Sequence, residues 1–249
     1  MSQISTKAEI GENVSICPSS IIYDNVVIKN NSIIDSFCKI GVPSSSERNM
    51  PLVIGANSHI RSHSIFYDNS TFEKNLVTGH HVLVRDKIKA GKFLQIGSFS
   101  EFEGNSSIGH YVKIHSRVHL PRLTKIGDLV YLFPRVQGSD DPLPPSNIAE
   151  PITIKSLAVI CINSLIMPDV TIGMGSFVAA ASVVKDDVPD GYCVAGNPAK
   201  VFTRIDRLIN FEHKIRHPWP LHNNRKKYPE ESYGMIDQYL KEIDQSLDK

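Results

Sequence analysis

His80 is the residue of this 249-residue chain best suited to move a proton. An imidazole titrates near neutrality and can serve as acceptor, donor or orienting partner. It stands in Thr78-Gly-His-His-Val-Leu-Val-Arg85-Asp, which also supplies a guanidinium. Two carboxylates, Asp140 and Asp141, follow in Gly138-Ser-Asp-Asp-Pro. They could hold an ammonium group and accept its proton, or they form a plain Asp-Asp-Pro turn. His80 has a comparable second reading, as a side chain that only hydrogen-bonds a ligand or the backbone. Glu103, His115 and Ser116 add polar groups nearby in the chain, and His110 with His115 raises zinc ligation.

The element that must carry these groups is set by a period. An aliphatic or aromatic residue recurs every sixth position from Ile10 to Ile40, from Ile54 to Leu132 and from Ile154 to Val184, and Thr78 alone in the series is not apolar. Six fits neither a helical 3.6 nor a plain strand alternation, so each unit is a short strand plus a turn. Three units close a coil of eighteen residues, and stacked coils bury a continuous column. Small or β-branched residues four positions on, such as Ser20, Val26, Cys38, Ser64 and Val118, supply a second inward position. Gly or Asn near the inward residues (Gly11, Gly41, Gly97, Gly109, Gly127, Gly173) is expected to serve turns with positive φ. His80, two residues past Thr78, faces outward, beneath Ser98 and then Ser116; Arg85 lies beneath Glu103, where a pair would stabilise the coil surface.

Two polar, Pro-rich segments, 42–52 and 137–151, interrupt the series and are expected as loops. After about residue 201 helical spacing takes over, first at Ile205, Leu208, Ile209 and Phe211, then from Met235 to Leu247. The chain divides into a β-solenoid over 1–201 and a helical tail over 202–249. Within the tail, Trp219 and Arg225-Lys-Lys-Tyr228 could stack a base and meet a diphosphate, or Trp219 packs against the solenoid. A net charge of +1 with dispersed cations gives no reason to expect a nucleic acid or a membrane surface as partner. Cys17, Cys38, Cys161 and Cys193 form no CxxC pair and read as buried reduced thiols. With no signal-like or membrane-length apolar run, a cytoplasmic location without membrane insertion is expected.

Leu165-Ile-Met-Pro-Asp-Val-Thr-Ile-Gly-Met-Gly-Ser-Phe-Val-Ala-Ala-Ala-Ser-Val-Val, followed by Val194-Ala-Gly-Asn-Pro-Ala-Lys-Val, resembles the closing signature of the hexapeptide-repeat acyltransferases. That resemblance implies a left-handed parallel β-helix, a homotrimer with sites between subunits, and acetyl-CoA or another acyl-CoA as co-substrate. It implies that backbone near Ala180 and Ala181 holds the pantetheine arm, while Asn197, Lys200 and Arg204 approach the nucleotide end. No metal is expected. The Thr78–Asp86 segment, Glu103-Gly-Asn, Lys113-Ile-His-Ser-Arg-Val-His and the 138–145 loop look like the branch that N-acylates dTDP- or UDP-linked amino sugars for bacterial surface polysaccharides, lipopolysaccharide among them. There His80, Asp140 and Asp141 would be catalytic, and Arg85, Glu103, His115 and Ser116 would bind substrate. The branch more often carries Thr-Asn-Asp in its loop, so Asp140 is a carboxylate where an amide is usual. The remaining alternatives are an O-acetyltransferase of a sugar or other small acceptor, a transferase acting on a lipid A precursor, a non-catalytic binding or scaffold protein, and a γ-type carbonic anhydrase, the last resting on the histidines.

Overall fold

The computed structural model describes residues 3–44, 50–210, 215–216 and 228–248. Among these, strands of mostly two or three residues pair in parallel with the strand three places on, giving three sheets of ten, nine and eleven strands. The chain therefore winds as a three-sided parallel solenoid. One coil runs through Leu83–Val84 on face A, Ile88–Ala90 on face B and Gln95–Ile96 on face C. Three edges join them, here called A–B, B–C and C–A. Leu83 pairs with Glu101 and Gln95 with Lys113, so neighbouring coils lie eighteen residues apart.

The register skips twice. Ile40 pairs with Phe66, 66 − 40 = 26 residues on, and Gln137 with Leu165, 165 − 137 = 28 on. Both insertions leave from the A–B edge. The loops are shorter than the sequence suggests, because Val42 and Leu52 belong to the strands Lys39–Val42 and Leu52–Ile54, and Gln137–Gly138 is itself a strand. Gly138 occupies a crowded inward slot: a Cβ there would come within 2.6 Å of Pro121 and 2.8 Å of Ile152, so a larger residue would have to displace them.

The inward column is buried throughout from Ile22 to Val184, with Phe66 and Phe72 packed edge to face at 5.4 Å. Ile10 is 38% exposed because no complete coil lies beneath the first. Hydroxyls at the second inward position do more than fill space. Ser58 Oγ donates to Gly55 O at 2.6 Å and accepts Leu76 N–H at 3.2 Å, stitching one turn to the next. The expectation about positive φ needs correction. The left-handed residue is, in most coils, the third after the inward residue, including Asn25, Asn57, His81, Phe99, Tyr111 and Ala181. Of the glycines that follow inward residues, Gly41 alone among those cited has positive φ. Gly97 is glycine because a Cβ would strike the backbone of His115 and Ser116 in the next coil.

The tail departs from the sequence reading at its start. Strand Ala199–Arg204 pairs antiparallel with Tyr192–Gly196 and runs across residue 201. The residues expected to begin a helix form a 3-10 turn, Ile205–Arg207, and the short strand Ile209–Asn210 paired with Ile215–Arg216; Phe211 lies outside the described residues. Ile205 packs into a cluster with the later helix instead of starting one. That helix, Tyr233–Leu247, is present. Its Ile236, Ile243 and Leu247 pack with Tyr111, Leu129 and Leu157 of the B–C edge. At its base Glu231 accepts from Tyr111 Oη and Lys92 Nζ, each at 2.9 Å.

No helix among the described residues is long and apolar enough to cross a membrane. Cys38 and Cys193 are buried, whereas Cys17 and Cys161 are half-buried, so burial holds for two of the four thiols. Desolvation pushes Cys161 up to about 11 and Cys193 up to about 12, which keeps both protonated near neutrality.

The depth of the column sets unequal costs. Phe66→Ala should destabilise the protein by about 3–5 kcal/mol, whereas Ile10→Ala at the open end should cost well under about 1 kcal/mol. Urea midpoints of the two variants against the parent check the difference.

Candidate functional site

The C–A edge collects the first group of sequence-marked residues. His80 is exposed there, with Nδ1 2.8 Å from Ser62 Oγ one coil below, and its N–H donates to Ser98 Oγ one coil above at 2.9 Å. Among the described residues Nε2 has no intramolecular hydrogen bond. The expected stacking of Ser98 and Ser116 above His80 is present: Phe99 N donates to His80 O, Arg117 N to Ser98 O and Arg135 N to Ser116 O.

Thr78, the one polar member of the inward column, has a local explanation. Its Oγ1 accepts Arg61 N–H at 2.9 Å, while its carbonyl accepts from Arg61 Nη1 at 2.8 Å. The hydroxyl takes a bond that the carbonyl would otherwise receive, and the guanidinium is drawn to the strand leading into His80. Beside it opens a cleft of about 280 Å³ lined by Arg61, Gly79, Gly97, Ser98, Lys113, His115, Ser116 and Tyr131. Gly79 and Gly97 give it a floor without side chains. His115 lies along Tyr131 and Phe133 at 5.8 and 5.9 Å between ring centroids. Lys113 Nζ sits 3.8 Å over the ring of Tyr228, whose phenol burial pushes up to about 12. The tail thus reaches this cleft through Tyr228, while Trp219 and Arg225 lie outside the described residues.

The same edge carries a stack of flat groups. His63 and His81 lie 4.6 Å apart, flanked by Phe37 at 5.0 Å and Phe99 at 4.9 Å, with the Arg117 guanidinium 5.1 Å from Phe99. Farther along, Asn163 N donates to Pro134 O and Ala181 N to Ile162 O, which continues the column from His80 to Ala180. The steps 80, 98, 116, 134, 162 and 180 span five coils, roughly 24 Å at the usual strand spacing. Ala180 and Ala181 are exposed. Asn197 is exposed at the turn between Tyr192–Gly196 and Ala199–Arg204; Lys200 pairs with Asp186 at 3.0 Å and Arg204 with Asp206 at 2.8 Å.

The remaining marked residues lie at the A–B edge. His80 and Arg85 are separated by the width of face A, at most about 17 Å of extended chain. Arg85 lies beneath Glu103 in register, but their side chains do not pair within 4 Å. Glu103 instead lies 3.7 Å from His119 Nε2, and Glu101 lies 3.8 Å from His119 Nδ1. Asp140 accepts from Arg122 Nε at 3.1 Å. Asp141 organises its own loop, accepting from Leu143 N, Ser146 N and Ser146 Oγ at 2.9, 2.7 and 2.7 Å. These bonds, those of Ser146 foremost, hold its carboxyl below the usual 3.8. One chain therefore does not gather His80, Asp140 and Asp141 at a point.

His110 belongs to the B–C edge, where Nδ1 accepts Lys92 N–H at 3.1 Å. That places it across face C from His80, and His110 and His115 share no cleft. No three His, Cys, Asp or Glu side chains among the described residues form a metal-ligating group. Sequence reasoning overlooked Ser62 and Arg61, gave no role to His119, and marked Tyr228 for stacking a base, not for packing over Lys113. Ser62 was reachable by subtracting one eighteen-residue coil from His80; the others required side-chain directions.

The bacterial transferase hexapeptide model, six repeats long, matches residues 7–41. A 2,3,4,5-tetrahydropyridine-2,6-dicarboxylate N-acetyltransferase of Clostridium perfringens is 48% identical over 63 residues, 25% of this chain and 26% of that one. Its counterpart in Staphylococcus aureus is 39% identical over 72 residues, 29% of each chain. The chain thus spans about a quarter of the length of the curated relatives it matches. Among solved structures, the Arabidopsis UDP-N-acetylglucosamine acyltransferase superposes with a TM-score of 0.68 at 19% identity, covering 82% of this chain and 72% of that one, a likeness of fold.

A carboxyl held low by its partners stabilises the folded loop at pH above its unfolded value, and that contribution is lost as pH falls through the lowered folded value. The Asp141 loop should therefore keep its protection from pH 7 down to pH 5 and lose it only below 3.8. Hydrogen exchange at the Ser146 amide across that range checks this, with Asp141→Asn expected to expose the amide already at neutral pH.

Proposed function

We propose that this hexapeptide-repeat protein is a coenzyme A-dependent N-acyltransferase acting on the amino group of a nucleotide-linked sugar, dTDP- or UDP-linked, made for a bacterial surface polysaccharide. The observation that carries the reading is the continuous C–A edge, which aligns a buttressed, exposed histidine with the small residues Ala180 and Ala181 about 24 Å away. A long extended donor is what such a line suits. Ala181 N–H is already bonded to Ile162 O, so the close approach of the pantetheine arm would fall to Ala180. Lys200 and Arg204 would exchange their carboxylate partners for the phosphates of the nucleotide end. N-acetyl transfer by the two bacterial relatives supports an amine acceptor.

In this reading the attacking amine is neutral, the thioester carbonyl gains charge as it is attacked, and a proton must leave the nitrogen as the intermediate collapses. His80 Nε2 would accept that proton while Ser62 holds Nδ1. The thiolate of coenzyme A leaves, and the N–C bond of the amide replaces the S–C bond. Ser98 and Ser116 with His115 would orient the sugar in the cleft. Arg85, Glu103, Asp140 and Asp141 would meet the substrate only if a neighbouring chain brought its A–B edge to this C–A edge. Face A presents Ile21, Ile65, Leu83, Leu165 and Val183 outward and face C presents Ile33, Val77 and Tyr131, while face B is dominated by Thr71, Lys89, Ser107, Lys125, Thr153 and Thr171. That asymmetry supports a homotrimer closed by faces A and C, acting in the cytoplasm.

Purified protein supplied with acetyl-CoA should release free thiol with a dTDP- or UDP-linked amino sugar and not with the corresponding hydroxyl sugar. His80→Asn should lower turnover about 10²-fold or more with coenzyme A affinity kept. A raised sugar KM with normal turnover would make His80 a binding residue, and a fully active monomer by light scattering would end the shared-site reading.

A further inference from the structure

Face B, opposite the C–A edge, holds the larger concavity of the two, an open groove of about 750 Å³. Its ends are built by the two insertions: Met50 and Pro51 return from the first, and Pro151 from the second. Three lysines, Lys87, Lys89 and Lys125, line it together with hydroxyls and the amides of Asn69 and Asn105, and no carboxylate lines it among the described residues. Pairing fixes how the lysines are spaced. Lys89 lies one coil before Ser107 and Lys125 one coil after it in the same outward column. An anion seated at the Ser107 hydroxyl would therefore have a lysine backbone position one strand spacing, about 4.8 Å, along the solenoid on either side, within reach of each flexible side chain. Lys87 stands one coil before Asn105 at the adjoining edge. Lys89 and Lys125 have no ion pair within 4 Å among the described residues, and the contact of Lys87 is a distant one, 4.0 Å to Asp86. Leu123, Met50 and the two prolines give the groove an apolar wall.

We propose that this groove is a binding site for a phosphate-bearing small molecule, with the phosphate at Ser107 between Lys89 and Lys125 and an apolar or ring-shaped remainder against Leu123. It is separate from the cleft beside His80, and the inference does not depend on acyl transfer. A concave site whose described lining pairs cations with hydroxyls selects a doubly charged oxyanion over a neutral sugar, and a volume of this size admits a nucleotide-sized ligand.

Calorimetric titration of the full-length protein with inorganic pyrophosphate tests it. Saturable binding is expected, weakening at least about tenfold in Lys89→Ser/Lys125→Ser through loss of charge-assisted contacts. Lys155→Ser, which removes a lysine paired with Asp190 outside the groove, should leave it unchanged. Equal thermal melting of the variants shows that they fold. Absent binding, or the same weakening in Lys155→Ser, overturns the site. Retention on phosphatidylglycerol vesicles that depends on Lys89 and Lys125 and is not displaced by pyrophosphate assigns the lysines to a membrane surface and overturns the small-molecule proposal. Thiol release in the double variant should equal that of the parent; its loss would merge the groove with the transfer site and overturn their separation.

Discussion

Strands of two or three residues cannot persist alone, so the parallel backbone ladder between coils is the interaction on which the rest of this molecule rests. Every rung bonds to the rung one coil away, and the bonds leave only one register in which the aliphatic column stays inside. That register makes position along the chain a coordinate in space. A residue knows its neighbours above and below by counting eighteen, or twenty-six and twenty-eight where the chain bulges outward. Side chains at the edges are then held by this lattice more than by their own packing, which explains how His81 and Phe99 keep left-handed backbone without being glycine.

The three edges have taken up three different tasks. The B–C edge offers Tyr111, Leu129 and Leu157 as an apolar rail, and the C-terminal helix lies on it. A Cβ at Gly175 would run into Ile243, so the rail narrows to glycine where the helix comes closest. The A–B edge tolerates both insertions, because a turn that leaves and returns at one edge does not disturb the two faces it joins. Among the described residues the C–A edge carries neither insertion nor helix and keeps an unbroken line of exposed groups from Phe37 to Ala181.

Much of this was legible in the residues themselves. The period gave the solenoid and its inward column, and counting by eighteen placed Ser98 and Ser116 over His80. The role of glycine was misread because a Gly after an aliphatic residue suggests a special φ, whereas crowding by the next coil is visible only once coils are stacked. Arg85 and Glu103 illustrate a second limit: register brings two residues together, but His119 from the neighbouring outward column captures the carboxylate. Ile205 and Leu208 have helical spacing, yet only a 3-10 turn forms at Ile205–Arg207 because their burial is decided by the tail helix and not by local pattern. The groove of face B was beyond reach for a related reason, since Met50 and Pro151 approach it only through the two register skips.

The two ends of the solenoid are unlike. At the C-terminal end the antiparallel hairpin of Tyr192–Gly196 and Ala199–Arg204 closes face C, with Ala199 and Val194 joined to the core. At the other end Ile4 and Ile10 stand 37% and 38% exposed among the described residues. In a stack whose units touch only their neighbours, loosening begins where a unit has one neighbour instead of two and no lid. Among the described residues the stack is therefore looser at its first coil than at its last. The coils ending at Ile16, Ile34 and Ile60 lie between that end and the turn bearing His80, and they act as sacrificial length: heat or a protease entering from the N-terminal side must undo them one after another before the histidine loses its place.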